Sequence, residues 1–98
     1  MAEYVQVWLV TVPDGQVEAL LAVRPAAIAE AKRLCPELLR ADLVRAGDGT
    51  WLDVLTWSVP DGEERLMARA EEFDLLHRMH GLLEEAGAVG RGEVVVSS

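Results

Sequence analysis

Asp53, His77 and His80 are the side chains of this sequence whose types and settings best suit acid–base chemistry. Asp53 lies between Leu52 and Val54, and strand periodicity puts Trp51, Leu55 and Trp57 on its own face. A carboxylate in such an aromatic wall must find donors or rise in pKa, because burial disfavours the charged form. Two roles are open to it. One is an Asp satisfied by a neighbouring backbone or side-chain group as a structural feature; the other is a pocket base for a phenolic or enolisable substrate. His77 and His80 are three residues apart and share a helical face, on the apolar stripe that should point toward a sheet. As a metal pair they lack a third ligand, so no metal is expected. As acid–base groups opposite Asp53 they can move a proton, and as plain structure they line a core edge or cavity rim.

A second polar residue enters through an internal repeat. Val12-Pro13-Asp14-Gly15 recurs as Val59-Pro60-Asp61-Gly62, each copy after an apolar run and before a helical pattern. The same offset carries Asp53 onto Gln6. With the two strands expected to run parallel as neighbours, Gln6 and Asp53 should lie side by side, with Trp8, Val10, Leu55 and Trp57 around them. Two polar groups in an aromatic wall make a ligand pocket or a self-satisfied pair at a subunit seam. Cys35, before Pro36, reads as a small buried thiol, since no histidine or basic cluster stands beside it in the sequence.

The elements that must position these groups follow from periodicity. Residues 3–12 and 50–59 are rich in aromatic and β-branched residues and are stopped by Pro-Asp-Gly, so both are expected as strands. From Gln16 the pattern turns helical through Val17, Leu20, Leu21, Ala27, Ile28, Ala31 and Leu34. Pro25 predicts a break near Arg24, and Pro36 closes the run. Asp61 as N-cap with Glu64 three residues on predicts a capping box opening a second helix that ends before Gly87. Residues 39–43 alternate as a half-exposed strand, joined through Gly47-Asp48-Gly49 to the next as a hairpin, and residues 93–97 form a last short strand. The order β-α-β-β-α-β is the ferredoxin-like α+β arrangement, one domain over residues 1–98.

The charge balance narrows the partners. With 9 basic and 17 acidic residues the net charge is −8, which argues against nucleic acid or an anionic membrane and disfavours an RNA-recognition domain of the same topology. An apolar share of 51% with 27% charged is a globular composition. One cysteine excludes a disulfide framework within the chain. No basic stretch followed by an apolar run opens the sequence, and a cytoplasmic location is expected. The two long strands are apolar on both faces, Val5, Val7 and Leu9 against Tyr4, Trp8, Val10 and Val12 in the first. Helices can cover only one face, so the other is expected to pair with a second copy in a homodimer.

This element order, with Asp48-Gly49-Thr50-Trp51-Leu52-Asp53-Val54 running into Trp57, resembles the antibiotic-biosynthesis monooxygenase family of dimeric α+β barrels over essentially the whole chain. The resemblance implies a homodimer with a central barrel and a pocket in each subunit between sheet and helices. It also implies oxidation of quinols, anthrones or other electron-rich aromatics by O₂, without metal or flavin. Quinone-forming members carry an Asn, a Trp four residues on and a Tyr slightly later. Here Asp53 stands at the Asn position, Trp57 keeps the Trp, Glu63 falls where the Tyr would be, and the chain contains no Asn. On this reading Asp53 takes a proton from a substrate hydroxyl, Trp57 stacks on its ring, and His77 or His80 shuttles the proton, while Gln6, Trp8, Trp51 and Phe73 contact the substrate. The alternative is a non-catalytic ligand-binding or assembly module of the stress-related barrel type. The two separate on whether a cavity exists beside Asp53 or is filled by Trp51, Trp57 and Phe73.

Overall fold

A computed structural model describes residues 2–47 and 49–96. Its elements run β1 (Tyr4–Thr11), a 3₁₀ turn (Asp14–Gln16), α1 (Val17–Leu34), β2 (Leu38–Gly47), β3 (Thr50–Trp57), α2 (Gly62–Ala68), a second 3₁₀ turn (Ala70–Glu72), α3 (Leu75–His80) and β4 (Glu85–Glu93). The strands form one sheet in the order β2-β3-β1-β4, antiparallel at every junction. This is the expected ferredoxin-like α+β fold. No helix among the described residues is long and apolar enough to cross a membrane.

The expected parallel pairing of the first and third strands is wrong. The helical crossover makes β2 run with β1, and the hairpin then reverses the chain, so β3 must oppose β1. Gln6 faces Leu55 and Trp8 faces Asp53 in the register. Directly opposed residues share a face, so Gln6 and Asp53 still lie on one side, as diagonal rather than lateral neighbours. That side is the one covered by helices, where Val10, Trp51 and Trp57 are buried. The other side carries Val5, Val7, Leu9, Leu52 and Val54, half-buried or exposed, with no element over it among the described residues.

Three further expectations are corrected. α1 runs unbroken through Pro25, which lies on its exposed side, where water can satisfy the carbonyl that the proline leaves free. The single helix expected from Asp61 is instead divided into α2, a 3₁₀ turn and α3, and no capping box forms at Asp61. The Asp61 carboxylate accepts from Arg65 Nε at 3.0 Å. The division is held by a residue 44 positions away from Asp74 in sequence. Glu30 of α1, 6% exposed, accepts from the backbone N–H groups of Asp74, Leu75 and Leu76 at 3.1–3.3 Å. It therefore closes the open N-terminus of α3 from outside. Burial pushes the Glu30 carboxyl up, but those three N–H donors together hold it below its ordinary value.

The last strand falls at Glu85–Glu93 rather than at 93–97; Val94 only continues it, its N–H donating to Glu3 O at 2.8 Å, and residue 97 lies outside the described residues. Asp48 of the expected hairpin turn also lies outside them, while its neighbour Gly49 takes the left-handed φ of 71° that the turn requires.

Gly62, the first residue of α2, lies against the indole of Trp57, and a Cβ there would fall inside the ring. Gly62→Ala must therefore push Trp57 out of its buried site. We expect a loss of about 1–3 kcal/mol, typical of overpacking, with a red-shifted tryptophan emission. Thermal melts and fluorescence of that variant check it, and a wild-type melting temperature would refute it.

Candidate functional site

The helix-covered face of the sheet does not close completely. Between it and the helices lies a cavity of about 290 Å³, walled by apolar side chains that include Trp8, Val10, Leu55, Leu66 and Met79. Four polar residues reach it: Gln6, Asp53, Glu63 and His80. Trp51, Trp57, Phe73 and His77 do not line it. Trp51 and Phe73 are core, 6% exposed each, with the Arg45 guanidinium 4.5 Å from the centre of the Trp51 ring. Trp57 borders a neighbouring, more open cleft of about 300 Å³, which Gln6 and Glu63 also line. His77 turns to the surface, its Nε2 donating to Ala70 O at 2.7 Å.

Asp53 is satisfied from α1. Arg24 Nη2 and Nη1 donate to its two oxygens at 2.8 and 3.1 Å, and the side chains are only 10% and 16% exposed. Such a fork fixes carboxylate and guanidinium together as an ion pair beneath the helix. In the sequence Arg24 marks only the break expected at Pro25, although a signal for its pairing exists. It falls four residues after Leu20 and three before Ala27, within the buried stripe, where a lone cation needs an anion opposite.

His80, an exposed residue, closes α3 at the cavity rim. Partial desolvation holds its imidazole below the ordinary histidine value; the Asp53 charge pulls the other way, and His77 adds to the lowering. A neutral imidazole facing an apolar cavity is suited to accept a proton at neutral pH. Gln6, 4% exposed, donates through Nε2 to the Glu63 carboxylate of α2. Its Oε1 and the Trp57 Nε1 are buried and have no hydrogen-bond partner among the described residues. Among those residues no three His, Cys, Asp or Glu side chains gather as a metal-binding group. Cys35 is buried, and burial raises its thiol pKa, which makes it a poor nucleophile.

The geometry has close counterparts among solved structures. SnoaB, a cofactor-independent oxygenase from Streptomyces nogalater, matches with a TM-score of 0.66 at 18% identity, over 100% of this chain and 96% of that one. A protein from Bordetella bronchiseptica assigned as an antibiotic biosynthesis monooxygenase matches with a TM-score of 0.70 at 14% identity, over 98% of this chain and 100% of that one. The chain has the fold of the antibiotic biosynthesis monooxygenases. A dimeric ferredoxin-like protein from an uncultured marine organism shares it too, with a TM-score of 0.72 at 14% identity over 100% and 92% of the two chains. No family profile matches the sequence, and no curated protein is significantly similar to it. Within the monooxygenase fold, then, this chain presents a cavity whose polar groups are Gln6, Asp53, Glu63 and His80. Of these only Glu63 is not among the side chains that the sequence singles out for chemistry; it stands where the quinone-forming members carry their Tyr.

Proposed function

We propose that the chain is a homodimeric, cofactor-independent oxygenase of small hydroxylated aromatic or enolisable molecules. The cavity beside Asp53 carries this reading, because the residues that would have filled it, Trp51, Trp57 and Phe73, lie elsewhere. A cavity of about 150 Å³ accommodates benzene, so the 290 Å³ here suits about two fused rings. His80 is the better base, since both oxygens of Asp53 are engaged by Arg24. It takes the proton of an enol or phenol hydroxyl, and the fixed Asp53 charge stabilises the imidazolium that forms. The substrate anion passes its electrons to O₂, a carbon–oxygen bond forms, and the proton held on His80 completes a hydroperoxide. The O–O bond then breaks, the distal OH leaves as water with the hydrogen that was still on that carbon, and a new carbonyl is left. Trp8 supplies the flat wall for the ring, a role that Trp57 cannot take in this cavity. Oxygen uptake with anthrones and naphthoquinols tests the reading: uptake that needs the protein and yields the carbonyl product supports it, and none with any of them removes it.

The clamp on Asp53 favours one other reading, a ligand-binding module in which the ion pair only shapes the cavity. Binding without oxygen uptake would establish it.

The homodimer rests on the apolar open face of the sheet, and the marine structural neighbour is described as dimeric. Val54 lies at the middle of that face, opposite Val7. Val54→Lys should convert a dimer into a folded monomer in sedimentation velocity. A native chain that sediments as a stable monomer at micromolar concentration would contradict the assembly.

A further inference from the structure

We infer that the cavity selects its ligand by a hydrogen-bond donor, with Gln6 as the specificity-determining residue and Glu63 as the residue that positions it. This rests on the reading of the cavity as a site for small hydroxylated aromatics. Gln6 on β1 is 96% buried by its 4% exposure and lines the cavity. Its Nε2 donates to Glu63. A carboxylate offers only lone pairs, so the amide NH₂ must face Glu63 and Oε1 must face away. That oxygen is buried and finds no donor among the described residues.

The other polar groups of the cavity do not repair this, and the unpartnered donor Trp57 Nε1 borders the neighbouring cleft, not this cavity, and makes no bond to Oε1. Asp53 and Glu63 contribute acceptors, and the Arg24 guanidinium is committed to Asp53. His80 stands at the rim. The cavity is thus supplied with acceptors and short of donors, and its ligand must bring one. A hydroxyl does so. A carbonyl or ether adds another acceptor and leaves Oε1 bare, and a ligand carboxylate would meet two acidic side chains. Leaving a buried acceptor unsatisfied weakens binding by about 10–100-fold. The same asymmetry acts on turnover: oxidation that converts the hydroxyl into a carbonyl removes the donor, so the product loses the contact that held the substrate.

Calorimetric titration of the full chain with 1-naphthol, 1-methoxynaphthalene and 1-naphthoate tests this. We expect 1-naphthol to bind about 10–100-fold more tightly than the methyl ether, and 1-naphthoate to bind no better than the ether. Gln6→Met keeps the length and removes the acceptor, and should bring naphthol and ether to within about threefold of each other. Glu63→Gln, at a half-exposed helix position, frees the Gln6 amide to turn and should also shrink the preference; it decides the matter if Gln6→Met does not fold. Equal affinities in the native chain, or a preference that survives in the folded variants, overturn the inference and leave the cavity reading standing. No binding by any of the three compounds overturns both.

Discussion

Arg24→Leu should cost the fold about 3–5 kcal/mol, because it leaves the Asp53 carboxylate buried beneath α1 without its partner. Asp53→Asn should be nearly as damaging, since an amide cannot accept two parallel bonds from a guanidinium. Against a total stability of about 5–15 kcal/mol for a domain, either loss is large. The double replacement Arg24→Leu with Asp53→Leu removes both charges and should recover most of it, because an apolar pair of similar volume is often as stable as a buried ion pair. Chemical denaturation of the three variants measures this. Additive losses in the double variant would mean that the two side chains act independently. The same protein separates structure from chemistry: a stable double variant that retains turnover removes Asp53 from the reaction, whereas one that binds without turning over keeps it there.

The larger effect on rate belongs to His80. His80→Gln should lower kcat/KM by about 10²–10⁴, the usual contribution of a positioned base, with little change in melting temperature because the imidazole is at the cavity rim. The sign of the pH dependence follows from its depressed pKa. The unfolded chain protonates this histidine near 6.5 and the folded chain only lower. Its contribution to stability is therefore fully present above about 6.5 and is lost as pH falls through the folded value. Activity should be flat at neutral pH and fall only as pH drops through the lower folded value, and the acid limb should vanish in the variant. Asp53, Glu63 and His77 are the other titratable groups around it, and a limb that persists without His80 rules out His80 as its source. Unchanged kcat/KM in folded His80→Gln would end its role as base.

The parts of the fold legible in the sequence were those where side chains decide. β1 and β3 announced themselves through apolar residues on both faces, and the face shared by Gln6 and Asp53 followed from period two even though the direction of pairing was misjudged. β4 was invisible because Glu-Ala-Gly-Ala-Val-Gly-Arg-Gly-Glu has almost nothing to bury, and all nine residues are exposed. Its strand character comes from backbone bonding to the free edge of β1, while the three valines that looked like the strand lie at and beyond its end. The break between α2 and α3 was hidden for another reason. The apolar stripe runs straight across it, and the carboxylate that starts α3 stands in a different helix. At the site, Asp53 and His80 were readable from type and setting. Arg24 and Glu63 required distances that local periodicity does not contain, although a cation at a core position of α1 was a usable warning.

The composition of β4 also bears on how the protomer opens. With no buried side chain, that strand is attached through its hydrogen bonds to β1 and the 2.6 Å contact of Arg91 with Glu64. Local unfolding is cheapest where little apolar surface is lost. The amides of β4 should therefore exchange with solvent well before those of β1 and β3. Ala86 of the same strand lines the cavity. Each transient detachment of β4 uncovers the cavity from the sheet edge, which gives a small molecule a side entrance that needs neither the helices nor the core to move.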